Sequence, residues 1–233
     1  MSPLSAELLG ALQSIDTPTI CNALEAIAPE RRGYGYTTRP LFCARPDLAP
    51  IVGFARTATI RSAHPGDLRG QEAREFSQAY YAYIDAGPKP SVVVIHDMDE
   101  HPGYGAFWGE VNSAIHKGLG AAGLVTDGSV RDLPDIAEGF QMLAATVVPS
   151  HAHVHVVDFG RPVSVAGMRV RDGDLIHADR HGAVVIPADA AEKIEAAAQQ
   201  LRDRERVIIE AAREPGFSAE ALRAAQGRAA EMH

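Results

Sequence analysis

Leu8, Leu9, Leu12 and Ile15 recur at helical spacing in SAELLGALQSI, so the chain is expected to open with an amphipathic helix. DTPTICNALEAI restarts the pattern, with Thr17 read as the cap and Pro18 suited to the first turn. Residues 51–61, IVGFARTATIR, alternate in part like a strand. Over 70–85, Phe76, Tyr80 and Ile84 fall four apart and predict a helix. SVVVIHD is a continuous apolar run closed by an acid, the pattern of a buried strand. AFWGEVNSAIHKGLG reads as a helix, AGLVTDG as a second buried strand, and RDLPDIAEG as a short helix.

This β-α-β-α order predicts a parallel layer covered by helices. After residue 142 the chain breaks into short strand-like pieces: MLAATVV, HVHVVDF, PVSVAG, MRVRDGDLIHA and GAVVIP. Gly, Pro and polar residues separate most of them, which suggests an antiparallel or mixed second layer. Ala188 to Arg213 reads as one long charged helix. The expected fold class is α/β, a β/β/α sandwich with N- and C-terminal helices. The expected division is an α/β domain over 1–188 and a helical extension over 189–233.

Composition narrows the function. A net charge of −8 argues against a general nucleic-acid-binding surface. No stretch approaches the roughly 20 apolar residues of a membrane span, and the N-terminus lacks a basic segment, so a cytoplasmic protein is expected. Cys21 and Cys43 form no CxxC pair or metal-ligand spacing and read as reduced thiols.

Gly118, Gly120 and Gly123 spell GxGxxG. A dinucleotide loop needs a strand before it and a helix after it. Here a helix leads in and a strand follows, so these glycines read as a helix end and a tight turn. The same order leaves no glycine-rich loop for a methyltransferase cofactor.

The acids that close the two buried strands carry more chemistry. Asp97 and Asp99 end one strand; Asp127, Arg131 and Asp132 lie at and beyond the end of the other. Ligands of α/β sheets bind at such ends. Carboxylates suit a hard divalent cation, and a guanidinium suits an anionic substrate, so these residues are candidates for one pocket. A surface Arg–Asp pair is the plainer reading.

WGEVNSAIHKGLGAAGLVTDGSVRD resembles the core of the RraA-like family, which includes class II 4-hydroxy-4-methyl-2-oxoglutarate aldolases and oxaloacetate decarboxylases. DTPTICNALE, VGFARTATI and VRDGDLIHADRHGAVVIP extend the resemblance over roughly residues 10 to 188. It implies a sandwich of the swivelling-domain type. The family motif is an acid, twenty intervening residues, then Arg-Asp. Glu110, Arg131 and Asp132 fill it, with Glu110 standing where many family aldolases have Asp.

By this resemblance Asp132 coordinates Mg²⁺ or Mn²⁺, and Arg131 binds the pyruvyl part of a small 2-oxo acid. Backbone amides of Gly109, Glu110, Val111 and Asn112 hold the substrate carboxylate, and Glu110 accepts or relays a proton. Lys89, Lys117 and Lys193, the only lysines, stand outside the motif, so no Schiff base is expected. The resemblance also implies a homotrimer or hexamer, in which Glu205 of a neighbouring copy is a candidate to assist the metal. The expected activity is a divalent-metal-dependent lyase acting through a pyruvate enolate. The alternative is a non-enzymatic RraA-like binding or regulatory protein.

Other features read as structural. His151, His153 and His155 alternate as on one strand face, a pattern open to a transition metal, although hydrogen-bonded histidines are the preferred reading. His177 and His181 fit a pocket or satisfied turns equally well. Asp174 and Asp179 suit turns, and Trp108 suits the core.

Overall fold

The computed structural model describes residues 4–232. Helices α1 (Ala6–Gln13) and α2 (Thr17–Ile27) come first, then β1 (Phe42–Cys43), β2 (Ile51–Arg61), α3 (Gly70–Ala86), β3 (Ser91–Asp97) and β4 (Ala106–Trp108). Next are α4 (Glu110–Gly118), β5 (Ala121–Thr126), β6 (Ser129–Val130), β7 (Gln141–Ala144), β8 (Thr146–Val147) and β9 (His155–Phe159). The chain closes with β10 (Val163–Val165), β11 (Met168–Val170), β12 (Leu175–Asp179), β13 (Gly182–Ile186), α5 (Ile194–Arg213) and α6 (Ala219–Ala230).

The main sheet runs β1-β7-β5-β3-β2-β12-β13, with β9 pairing β2 as well. β2, β3, β5 and β7 pair in parallel; β1, β9, β12 and β13 join antiparallel. The expected continuous burial holds: Val92, Val93, Val94 and Ile95 are all fully buried, and each such side chain stabilises by about 1.5–3 kcal/mol. Val92, Val94 and Val125 face the β10–β11 hairpin through Val163, Val165, Met168 and Val170. Val93, Ile95 and Leu124 face the other layer, with Tyr80, Ile84, Trp108 and Phe140. A third core, including Leu12, Ile20, Val184 and Ile194, seats α1, α2 and α5 over the antiparallel edge. The molecule is thus the expected β/β/α sandwich with helical ends.

Several details differ from the sequence reading. The strands after residue 142 do not build a separate layer. β7, β9, β12 and β13 complete the main sheet, β8 joins a small parallel sheet with β4 and β6, and only β10–β11 stand apart. Ala106–Trp108 is a strand rather than the first turn of a helix, because it pairs with Ser129–Val130. RDLPDIAEG yields only a 3-10 turn at Leu133–Asp135, since Asp132 before it is left-handed (φ 52°).

The cap of α2 is Asp16, whose carboxylate accepts from the Thr19 amide at 2.8 Å. Thr17 instead ties the helix to the sheet: its amide donates to Asp179 Oδ2 at 2.9 Å, and its hydroxyl meets His177 Nδ1 at 3.0 Å. His177 Nε2 lies 2.9 Å from the Ile15 carbonyl. That carbonyl only accepts, so Nε2 carries the proton and Nδ1 accepts from Thr17. Burial lowers the pKa of this imidazole, which favours the neutral form this bonding needs. His177 is therefore a core histidine beneath the N-terminal helices.

Candidate active site at the Arg-Asp turn

The small parallel sheet places the motif. β4 and β6 lie side by side, with Trp108 opposite Val130, and the Arg131 amide donates to the Trp108 carbonyl at 2.9 Å. Gly109 and Arg131 therefore leave neighbouring strand ends together. Glu110 then opens α4, so the helix N-terminus, with its unpaired amides and partial positive charge, stands beside the Arg-Asp turn.

Asp132 closes the arrangement. Its left-handed backbone is one that Asp and Asn tolerate better than most residues. Its Oδ2 accepts from the Glu110 amide at 3.3 Å and lies 3.5 Å from Arg131 Nε. Oδ1 has no hydrogen-bond partner among the described residues. The side chains of Arg131 and Asp132 are 36% and 33% exposed, so both are open to a ligand. Gly109 provides no side-chain cap, and the Asp132 carboxylate takes that place.

The absence of a side chain at 109 has a direct use. A Cβ there would overlap Asp132 Oδ2 and come within 3.1 Å of Arg131 Cγ. Gly109→Ala is accordingly expected to fold, because a part-exposed side chain can move aside, at a cost of about 1–3 kcal/mol. It should nevertheless lose most of whatever activity the site has. Thermal melting and turnover on one preparation check this; a fully active Gly109→Ala would show that Asp132 need not approach the helix.

The remaining predicted residues divide clearly. Glu110 is exposed, and Val111 is 66% exposed beside it. Asn112 keeps its backbone in the first turn, but its side chain is engaged with Tyr81 and Phe107. Lys89 and Lys117 point their ammonium groups at the carbonyls of Ile84 and Glu138, away from the motif.

The three strand-end acids do not converge on Asp132 as one cation pocket. Asp97 is fully buried and accepts from the amides of Gly103 and Asp99. Asp99 accepts from Ser62 and Ala63. Asp127 accepts from the Asp97 amide and from His96, and Arg39 reaches it at 3.6 Å. Burial raises the Asp97 carboxyl, and the Asp127 hydrogen bond raises His96. These acids organise loops. Among the described residues no group of three or more His, Cys, Asp or Glu side chains is disposed to hold a metal.

The histidine run is not a strand face. Residues 151–154 form a turn, and only His155 enters β9. His151 and His155 bond the carbonyls of Ala152 and His153. His181 pairs with Asp179 at 3.1 Å. Trp108 is fully buried, as expected of a core residue. The GxGxxG run spans the end of α4, a left-handed turn at Gly120 and the first residues of β5.

Sequence reasoning missed Tyr80, Tyr81 and His116, which join α3 to α4 behind the motif. Two clefts lie elsewhere, and Arg131 and Asp132 line neither. One of about 560 Å³ sits between α3 and β9; one of about 870 Å³ lies by α1 and the β10–β11 hairpin.

Together these features define a class: an α/β sandwich whose candidate site joins an Arg-Asp turn to the start of a helix. The chain belongs to the RraA-like family; the Aldolase/RraA family model matches residues 17–185. It is 28% identical over 214 residues to a Halalkalibacterium halodurans protein named "Putative 4-hydroxy-4-methyl-2-oxoglutarate aldolase", covering 89% of this chain and 91% of that one. A 107-residue stretch is 34% identical to an uncharacterized Methanocaldococcus jannaschii protein, covering 45% of this chain and about half (51%) of that relative. The fold is similar to that of Streptomyces coelicolor RraAS2, described as an unusual member of the RNase ES inhibitor RraA protein family. That match has a TM-score of 0.67 and 23% identity, over 88% of this chain and 97% of RraAS2. No described helix is long and apolar enough to cross a membrane.

Proposed function

We propose that this chain is a divalent-metal-dependent lyase that cleaves 4-hydroxy-2-oxo acids or oxaloacetate to the enolate of pyruvate. The observation that carries this reading is the meeting of Arg131, Asp132 and the first turn of α4 at one open site. Asp132 offers one hard, part-exposed carboxylate whose Oδ1 has no hydrogen-bond partner among the described residues. That donor fits Mg²⁺ or Mn²⁺, since magnesium keeps several waters and takes few protein ligands. When bound, the cation supplies Lewis-acid polarisation of the 2-oxo group.

The chain's own groups do the rest. Amides from Gly109 to Asn112 bind the substrate carboxylate at the helix start. The Arg131 guanidinium grips the pyruvyl oxygens in a two-pronged contact and stabilises negative charge where it develops. For a hydroxy-oxo acid, Glu110 takes the 4-hydroxyl proton through water. The C3–C4 bond then breaks, C4 becomes a carbonyl, and the electron pair enters the enolate. Glu110 returns the proton to C3, releasing pyruvate. In oxaloacetate the C3–C4 bond breaks with loss of carbon dioxide, the electron pair enters the same enolate, and C3 takes its proton from water.

Membership of the RraA-like family is the ground for proposing a closed homotrimer or hexamer, in which Glu205, exposed on α5, would reach the metal shell of a neighbouring copy.

The test is pyruvate release from oxaloacetate, 4-hydroxy-4-methyl-2-oxoglutarate and 4-carboxy-4-hydroxy-2-oxoadipate with Mg²⁺, with light scattering on the same sample. Release from at least one acid by an oligomer is expected. No release from any of them would leave the non-enzymatic reading, and a dilute, active monomer would remove Glu205 from the site.

A further inference from the structure

Behind the motif lies a polar frame that joins two helices and a strand. Tyr81 of α3 donates its hydroxyl hydrogen to Asn112 Oδ1 at 2.9 Å, and Asn112 Nδ2 donates to the Phe107 carbonyl. Phe107 belongs to β4, which leads into Gly109; Asn112 belongs to the first turn of α4, which leads out of it. One side-chain amide thus ties the strand entering the site to the helix leaving it, and Tyr81 holds that amide from a third element.

The neighbouring contact strengthens the frame. Tyr80 Oη lies 2.9 Å from His116 Nε2, and His116 Nδ1 lies 2.7 Å from the Asn112 carbonyl. The carbonyl only accepts, so Nδ1 carries the proton and Nε2 accepts from Tyr80. Burial lowers the His116 pKa to about 4, so this neutral pattern persists around pH 7. Burial also raises the pKa of the Tyr81 hydroxyl, which stays a donor there.

Resting on the lyase reading above, we infer that Tyr81 is a positioning residue that acts through Asn112. It sets where the amides of the first turn of α4 stand relative to Arg131 and Asp132, and so sets affinity for the substrate carboxylate. The helix has no cap from its own N-cap residue, and among the described residues the one carboxylate bound to its start is Asp132 itself. The Asn112 side chain therefore provides a restraint on that turn independent of the reacting groups. Tyr81 is only half-buried. Asn112 is part-buried as well, and removing the Tyr81 hydroxyl keeps the ring, so folding should lose little.

Tyr81→Phe in the full chain tests this. Thermal melting, oxaloacetate kinetics at saturating Mg²⁺, and calorimetric binding of oxalate, a stable analogue of the pyruvate enolate, are measured together. The melting temperature should fall by no more than about 3 °C, the shift expected for about one kcal/mol in a chain of this size. KM and the oxalate Kd should each rise about tenfold, the scale of one lost hydrogen bond. Turnover, kcat, should stay within about twofold, as for lost binding shared by ground and transition states.

A folded Tyr81→Phe with wild-type KM and oxalate affinity would overturn the inference. So would a loss of activity that follows a fall in melting temperature of more than about 10 °C, which marks a fold residue. A wild type that neither releases pyruvate nor binds oxalate is a different failure: it overturns the lyase reading and the inference with it.

Discussion

Arg131→Lys is expected to lower kcat/KM by about 10²-fold or more, the scale of a lost transition-state donor, while the protein stays folded. Both side chains carry one positive charge, so the difference isolates geometry. Arginine presents a planar fork that matches two oxygens of a pyruvyl group; lysine presents a single, strongly hydrated ammonium. The fold does not depend on the fork. Arg131 is held in place by its own amide, which bonds the Trp108 carbonyl, and lysine keeps that amide. The one ion pair lost is the 3.5 Å contact with Asp132, between groups more than a third and a third exposed. Exposed pairs of this kind contribute about 0–1 kcal/mol. Kinetics on the best substrate and a circular-dichroism melt separate the two effects. Near-wild-type turnover of a folded Arg131→Lys would take Arg131 out of the chemistry.

The sequence carried the parts of the fold that depend on local pattern. The apolar run at Val92–Ile95 became a buried central strand because both its faces meet covering layers. The reversed order around Gly118–Gly123 became a helix end and a turn, as the residues on either side required. What escaped was set by partners far along the chain. Phe107 and Trp108 fit a helix by local spacing, and only the pairing with Ser129 and Val130 makes them a strand. The short strands after residue 142 looked alike in sequence, yet β8 and β9 join different sheets.

The candidate site was legible in a similar measure. Glu110, Arg131 and Asp132 were singled out as candidates by the spacing of a family motif, and the fold brings the Glu110 backbone to the Asp132 carboxylate. The chemical argument that grouped Asp97, Asp99 and Asp127 with them failed, because strand-end acids also serve to bind loop amides. Nothing in the helical spacing of Phe76, Tyr80 and Ile84 marked Tyr81, whose partner lies on another helix.

Asp132→Asn should lower lyase activity at least about 10³-fold, because several kcal/mol of transition-state charge stabilisation depend on the cation that this carboxylate is proposed to hold. Asparagine is the sharper substitution here than alanine. It tolerates the left-handed backbone at φ 52°, matches the size of Asp, and keeps an oxygen to accept from the Glu110 amide. Asp132→Ala should also be inactive, but it adds backbone strain and uncaps α4, so its loss mixes folding with chemistry. The asparagine variant removes chiefly the negative charge. A cation that keeps most of its waters has few protein ligands, so one missing carboxylate weakens its hold severely. Chelation by EDTA should therefore reproduce the defect in the wild type, and added Mg²⁺ or Mn²⁺ should restore the chelated wild type but not Asp132→Asn. Pyruvate release at the full rate in excess EDTA would sink the metal-dependent mechanism and leave the Arg-Asp turn without the chemistry assigned to it.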